Sequence, residues 1–266
     1  MLQIHWTLTA YLITLTFLIG AAGGSFINCL SWRLVHGERV AKGRSHCTVC
    51  GHVLGVPDLV PVFSWIFLRG KCRYCKAPIS SRYMWTEILM GVVAVSLLIR
   101  YDLSLKALFY LVFGFILLGE SLTDLEVFEI PDGFHLAAIL WWCLYLHFSG
   151  GSVPARLTGG LLGGAVIAGG ILLLTMIFDR ILGKESMGGA DIKLFFVTGL
   201  YLGLLGNLLN LIASCIMGLF FAALSSKARS GNEDPSLIPF GPAIAAGTWF
   251  CLLFGEGIIT WYTGFF

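Results

Sequence analysis

Residues 188–207 have the sequence GGADIKLFFVTGLYLGLLGN, and this stretch determines both the fold class and the place where chemistry is expected. A long apolar run begins directly after Asp191 and is broken at Gly206-Asn207. Because Gly-Asn is a turn signal, we predict that one membrane span ends there and the next begins. Asp191 then stands at the edge of the hydrocarbon layer, where an ionisable side chain is costly and indicates a functional site.

The composition of the whole chain agrees with a membrane protein. Of the 266 residues, 57% are hydrophobic and 12% are charged, and the mean hydropathy is +0.86. A soluble domain has about 25% charged residues. We therefore predict an all-α polytopic membrane protein with about eight transmembrane helices, each near the ~20 residues that a bilayer requires. The predicted spans are residues 7–30, 84–99, 104–122, 134–149, 157–178, 192–206, 208–225 and 240–262.

The basic residues predict how these spans are oriented. With the N-terminus outside, 14 of the 17 Lys and Arg residues are cytoplasmic, as the positive-inside rule requires. The three outside are Arg100, Lys106 and Arg156. Merging the sixth and seventh spans would move Lys227 and Arg229 outside, which favours eight spans. Lys193 is expected either to form an ion pair with Asp191 or to extend toward the interface.

The first span has no basic segment before it, so we expect a membrane anchor and not a cleavable signal peptide.

Four cysteines lie in the only sizeable soluble segment, residues 31–83, which the topology places in the cytoplasm. Cys47 and Cys50 form one CxxC motif, Cys72 and Cys75 form another, and 21 residues separate the two motifs. This spacing predicts a tetrahedral zinc site, and four thiolate ligands leave no open position, so the zinc would be structural. Cytoplasmic thiols stay reduced, which disfavours disulfides. Redox-active or unliganded thiols remain the alternative.

Hydrolytic chemistry at Asp191 needs a second carboxylate. Two carboxyl groups held close together cannot both ionise easily. The charged one can then activate water while the protonated one polarises a carbonyl group. The residues alone leave the partner open within 120–132. The acidic residues there are Glu120, Asp124, Glu126, Glu129 and Asp132. Glycines before Asp191 permit close backbone approach, so we expect substrate to lie along Gly188, Gly189 and Ala190.

Several motifs resemble those of the type IV prepilin peptidases, bifunctional membrane enzymes of type IV pilus and type II secretion systems. The resemblance covers nearly the whole chain. The motifs are GSFIN at 24–28, SHCTVCGH at 45–52, DLVPVFSW at 58–65, LRGKCRYC at 68–75 and PFGP at 239–242. Their number and their order along the chain make the resemblance specific.

The resemblance implies an aspartic catalytic dyad of Asp124 and Asp191. The family's GxGD motif is present as Gly188-Gly189-Ala190-Asp191, with Ala190 at the usual second glycine, and Asp132 becomes a structural residue. The implied reaction is cleavage of the leader peptide of prepilins or pseudopilins at the cytoplasmic membrane face. The family then methylates the new N-terminus with S-adenosylmethionine, for which this sequence shows no recognisable binding motif.

The resemblance also implies the partners and the organisation of the chain. The partners are type IV prepilins or pseudopilins and the lipid bilayer, without nucleic acid, and the location is the bacterial inner membrane. We expect a first transmembrane helix over 1–30, a cytoplasmic zinc-binding loop domain over 31–83, and a transmembrane aspartyl protease core over 84–266. The expected cofactors are structural zinc and S-adenosylmethionine.

Two other function classes are compatible with some of these features. An ion-coupled transporter could use Asp124 and Asp191 as proton carriers. Transporters commonly contain internal repeats, however, and this chain shows none. A membrane scaffold could bind a partner through the cysteine loop, but it would leave both aspartates unexplained.

Overall fold

The computed structural model describes residues 6–40, 43–148, 150, 152–183, 187–228 and 239–265, and within these ranges the regular structure is helical. The helices are α1 Trp6–Val35, α2 Phe63–Phe67, α3 Ser81–Tyr101, α4 Leu105–Val127, α5 Asp132–Phe148, α6 Val153–Leu182, α7 Gly189–Ala228, α8 Gly241–Phe250 and α9 Glu256–Thr263. A 3-10 turn covers Val56–Asp58, and one π-helical turn, Cys251–Gly255, joins α8 to α9.

Within the described residues, six helical segments are long and apolar enough to cross a membrane. They are Trp6–Val35, Ser81–Tyr101, Leu105–Val127, Val153–Leu182, Gly189–Ala223 and Gly241–Thr263. The prediction of an all-α polytopic membrane protein is therefore confirmed. The eight-span topology stays a prediction, because α5 has only 17 residues and α7 is counted once. Lys42, Lys184 and Arg229, used in that topology, lie outside the described residues.

The chain divides into two compact units, residues 1–119 and 120–266. In the first unit, α1 packs closely against α3 because small residues line the contact. A Cβ atom added at Gly20 would lie 2.4 Å from the main-chain oxygen of Met90, so only glycine permits this approach. The amide of Asn28 also donates a hydrogen bond to the hydroxyl of Thr86 on α3.

Asp58 organises the soluble loop of the first unit. Its carboxylate accepts hydrogen bonds from the main-chain N–H of Gly55 at 3.0 Å, from Nε of Arg73 at 2.6 Å and from the hydroxyl of Tyr74 at 3.1 Å. The hydrogen bond from Arg73 is the main cause that holds the pKa of Asp58 below its ordinary value. One carboxylate thus ties the 3-10 turn to the second CxxC motif.

In the second unit, α7 folds back on itself at Gly203, whose φ of 70° and ψ of −176° interrupt the helix. The side chain of Asn207 donates to the main-chain oxygen of Phe195 at 2.9 Å. In a straight helix these residues, 12 positions apart, would be about 18 Å apart. The prediction that Gly206-Asn207 forms the turn is therefore wrong by three residues. Asn207 lies inside the second helical segment, where its amide bonds back to the first.

Buried polar side chains join the two segments of α7. Thr198 donates to Oδ1 of Asn207 at 2.9 Å, Asn210 donates to Thr198 at 3.2 Å, and Ser214 donates to Asn210 at 3.1 Å. All four side chains are fully buried. Lipid offers no hydrogen bonds, so polar groups at this depth must find partners inside the protein. The network therefore fixes how the two segments pack.

Replacement of Gly203 tests the turn. The combination of positive φ and extended ψ is essentially restricted to glycine, so Gly203→Ala should destabilise the protein by about 1–3 kcal/mol. Thermal unfolding in detergent micelles measures this change. Gly257→Ala is the matched control, because Gly257 is helical and an added Cβ meets nothing within 4 Å. Equal unfolding temperatures for the two variants would contradict the assigned turn.

Candidate active site

Asp124 lies in the last turn of α4 and is 6% exposed. Its Oδ2 accepts a hydrogen bond of 2.7 Å from the main-chain N–H of Gly241, the first residue of α8. A Cβ atom at position 241 would lie 2.8 Å from the same oxygen, so a side chain cannot be accommodated there. Because the PFGP motif has glycine at position 241, the N-terminus of α8 can lie against the carboxylate of Asp124. This arrangement favours the negatively charged form of the carboxylate.

Asp191 lies in the first turn of α7 and is half-buried. Its main-chain N–H donates to the oxygen of Gly188 at 3.2 Å, which closes the turn that starts the helix. The carboxyl group of Asp191 is close enough to interact electrostatically with Asp124 and with His135. The end of α4 and the start of α7 therefore bring together two carboxyl groups that are 67 positions apart in the sequence.

The other acidic residues of 120–132 have different surroundings. Glu120 is fully buried and pairs with Nδ1 of His135 at 2.9 Å. Asp132 begins α5 at the surface and pairs with Nζ of Lys193 at 2.7 Å. Lys193 therefore bonds to Asp132 and not to Asp191. Glu126 is half-buried and Glu129 is exposed. Among the described carboxylates of this segment, Asp124 is the one found in electrostatic contact with Asp191.

Two residues of this site were not identified from the sequence. Gly241 is part of the PFGP motif, but the motif by itself does not reveal that an N–H group meets Asp124. His135 lies in an apolar helix and carries no local signal. Its pairing with Glu120 requires that the end of α4 lies beside α5. Acidic and imidazole side chains in neighbouring apolar helices are the signal that could have suggested the pair.

The four cysteines of the soluble loop form one cluster. Their Sγ atoms all lie within 4.8 Å of one another, and those of Cys47 and Cys75 are 3.8 Å apart. A tetrahedral zinc ion with Zn–S bonds of about 2.3 Å places its sulfurs about 3.8 Å apart. All four cysteines are free of disulfides. The cluster could therefore bind a metal such as zinc.

The two CxxC motifs have matching backbone geometry. The N–H of Cys47 donates to the oxygen of His52 at 3.0 Å, and the N–H of Cys72 donates to that of Ala77 at 2.8 Å. Main-chain hydrogen bonds from Cys50 and Val49 lower the pKa of Cys47 to about 6. Both features suit a metal-bound thiolate, because the charged sulfur is the ligand.

A separate cavity of about 450 Å³ lies within the first unit, between α1, α3 and the soluble loop. Aromatic side chains in its lining are Trp32, Trp65 and Tyr83, and carboxylates are Asp58 and Glu87. Glu87 is buried and accepts a hydrogen bond of 2.6 Å from the N–H of Val62. Arg33 and Arg73 also line the cavity, and Arg73 already pairs with Asp58 at 2.6 Å. The aromatic faces and Glu87 are therefore the groups that suit a cationic ligand.

Two family models match the chain. Residues 18–101 match the bacterial peptidase A24 N-terminal domain, and residues 108–223 match the type IV leader peptidase family. The first match includes the cysteine loop, and the second includes both Asp124 and Asp191. No solved structure matches the chain.

Several curated proteins named prepilin leader peptidase/N-methyltransferase are similar to the chain. The protein from Aeromonas hydrophila is 34% identical over 224 residues, which are 82% of this chain and 74% of the relative. The protein from Pseudomonas putida is 30% identical over 271 residues, covering 94% of this chain and 93% of the relative. The protein from Bacillus subtilis (strain 168) is 30% identical over 259 residues, covering 94% and 98%.

Zinc content tests the cysteine cluster. The purified protein should contain about one zinc per chain, and Cys72→Ser/Cys75→Ser should lose it, since two of four ligands are removed. Elemental analysis after gel filtration measures the content, and limited proteolysis should show a loosened loop. Cys215→Ser is the control, because Cys215 is free and lies in α7, outside the cluster. Unchanged zinc in the double variant would refute the ligand assignment.

Proposed function

The chain belongs to the type IV leader peptidase family, and we propose that it removes the leader peptide of type IV prepilins or pseudopilins with a catalytic dyad of Asp124 and Asp191. The observation that carries the proposal is the meeting of these two carboxyl groups at helix ends. Their carboxyl groups come from separate elements, α4 and α7. No metal is needed for this chemistry.

The hydrogen bond from Gly241 suggests how the two aspartates divide the work. An N–H donor at Oδ2 stabilises the charged form of Asp124, so we assign the general base to Asp124 and the protonated acid to Asp191. Asp124 takes a proton from water as the water oxygen attacks the scissile carbonyl carbon. Asp191 gives its proton to the carbonyl oxygen. Collapse of the tetrahedral intermediate transfers the proton on Asp124 to the leaving amine and returns one to Asp191.

The predicted topology places both aspartates at the cytoplasmic membrane face of a bacterial inner membrane. A prepilin has a short basic leader in the cytoplasm and an apolar segment in the bilayer, so their junction reaches the dyad at this depth. The ion pair of Asp132 with Lys193 supports a position at a membrane face, though not on a particular side, because both side chains are more than half exposed at the same end of α5 and α7.

The turn of Gly188, Gly189 and Ala190 is proposed to contact the substrate backbone. A Cβ atom added at Gly188 would lie 3.4 Å from Oδ2 of Asp191, and one added at Gly189 would meet nothing within 4 Å. The space beside Gly189 is therefore open next to the dyad. A substrate strand in this space would place its carbonyl group beside Asp191.

A second activity, N-methylation of the new N-terminus, is proposed from the relatives' names and supported by the cavity of the first unit. Bound S-adenosylmethionine would supply a methyl group on a positively charged sulfur. Trp32, Trp65 and Tyr83 would hold the adenosine portion and the cation by stacking. The carboxylate of Glu87 would complement its positive charge, because Asp58 is already paired with Arg73. These residues fit the chemistry of the donor.

Substitution of the dyad tests the peptidase. Asp124→Asn and Asp191→Asn should each abolish cleavage of a purified prepilin, and the double variant should be no worse, because the pair acts as a unit. Mass spectrometry of the product separates cleavage from methylation. Asp132→Asn is the control and should retain substantial activity. Near-normal turnover in either single variant would remove that residue from the mechanism. If the protein were a transporter, the wild type would not cleave prepilin.

Filling the space beside Gly189 tests substrate contact. Gly189→Val should fold normally, because the added side chain meets open space, yet it should reduce cleavage at least about tenfold by obstructing the substrate strand. Initial cleavage rates measure the effect. Gly159→Val is the matched control, since its added Cβ also meets nothing within 4 Å but lies on α6. Equal rates for the two variants would argue against a substrate strand along this turn.

A further inference from the structure

The second unit contains a groove of about 610 Å³ between α5, α6 and α7, which we call the α5–α7 groove. Most of its lining is apolar. The central lining residues are Ile139, Ala168, Gly169, Leu172, Ile192 and Phe196. Its polar lining consists of His135 together with the exposed ion pair of Asp132 and Lys193. Its lining includes Ile192, which directly follows Asp191 in the sequence, so the groove lies close to the proposed dyad.

His135 is the buried polar residue of this groove. It is 5% exposed, and its Nδ1 lies 2.9 Å from Oε1 of Glu120, which is fully buried. Within the described part of the chain, Nε2 of His135 has no hydrogen-bond partner. A buried polar nitrogen is normally paired, so an unpaired one beside a cavity indicates a ligand.

The pairing of His135 with Glu120 indicates that Nε2 of His135 is a hydrogen-bond donor. A net charge buried at this depth is costly, so the pair is neutral overall. Two neutral states satisfy the contact: carboxylate with imidazolium, and a protonated Glu120 that donates to Nδ1 of a neutral ring. Nε2 carries a hydrogen in both states. In a third arrangement Nδ1–H donates to a protonated Glu120, but the buried Oε2–H of Glu120 would then have no acceptor. Asp132 and Asp191 also interact electrostatically with His135.

A transmembrane substrate supplies the acceptor that this donor lacks. Peptide hydrolysis requires extended backbone, so the substrate helix must unwind near the scissile bond. Unwinding frees main-chain carbonyl groups that have no water to bond with in the hydrocarbon layer. An apolar groove with one buried N–H donor, lying close to Asp191, suits such a segment better than it suits lipid tails, which accept no hydrogen bond.

We propose that the apolar segment of the prepilin docks in the α5–α7 groove, and that Nε2–H of His135 donates to a main-chain carbonyl that unwinding exposes. This inference rests on the proposed peptidase function. It adds His135 to the substrate-binding residues and gives Glu120 a positioning role, because Glu120 sets the orientation and hydrogen of the imidazole ring.

Two neighbouring glycines of α6 provide a matched test of the groove. Gly169 lines the groove and Gly170 does not. Both are exposed, and an added Cβ meets nothing within 4 Å at either position. Gly169→Leu should raise the KM for a purified prepilin at least about tenfold, and Gly170→Leu should leave it unchanged. Equal KM values for the two variants would mean that lipid alone occupies the groove, and would overturn the proposal.

Substitution of His135 tests the hydrogen bond. His135→Leu should raise KM by roughly tenfold, as expected for a lost hydrogen bond, and His135→Gln should restore most of the affinity because its amide N–H can reach the same acceptor. Tyr201→Phe is the control for a lost buried hydrogen bond. The Tyr201 hydroxyl donates to the main-chain oxygen of Ala138, which lies on α5, the helix that carries His135. An unchanged KM in His135→Leu, or a fall in kcat alone, would overturn the role.

The same experiments separate this inference from the peptidase proposal. If the wild-type protein cleaves no prepilin, the peptidase function fails. If the wild type cleaves and the Asp124 and Asp191 variants do not, but Gly169→Leu and His135→Leu bind prepilin normally, the peptidase function stands and the groove proposal fails.

Discussion

The hydrogen bond from the N–H of Gly241 to the carboxylate of Asp124 is the contact on which the proposed chemistry depends. It stabilises the charged form of a buried aspartate in a protein that is 57% hydrophobic. The contact also explains why position 241 is a glycine, because a Cβ atom there would lie 2.8 Å from Oδ2 of Asp124. With α8 bonded to the end of α4, Asp191 at the start of α7 completes the pair.

The same constraint governs the rest of the second unit. Polar groups that cannot reach water must bond to one another. Thr198, Asn207 and Asn210 do so and hold the folded-back α7 together. Within the described residues of this unit, Nε2 of His135 and Oε2 of Glu120 are the buried side-chain atoms without a hydrogen-bond partner. These two atoms mark a place where the substrate is expected to contribute.

Much of this could be predicted from the sequence. Long apolar runs and few charged residues predicted a helical membrane protein. Acidic residues at the ends of apolar runs, where charge is costly, pointed to Asp191 and to a partner within residues 120–132. The bend in α7 was placed three residues late, because Gly206-Asn207 is a stronger local turn signal than Gly203. The actual turn depends on tertiary hydrogen bonds of Asn207. The pairings of Lys193, His135 and Gly241 likewise depend on which helices are neighbours, and one sequence does not contain that information.

The dyad is tested most directly by a prepilin-derived peptide in which a secondary alcohol replaces the scissile carbonyl. The alcohol resembles the tetrahedral intermediate, and a matched peptide with a methylene group at that position does not. The wild-type protein should bind the alcohol at least about 100-fold more tightly than the methylene peptide. Asp124→Asn and Asp191→Asn should lose this preference. Equal affinity of the wild type for the two peptides would contradict an aspartic dyad at Asp124 and Asp191.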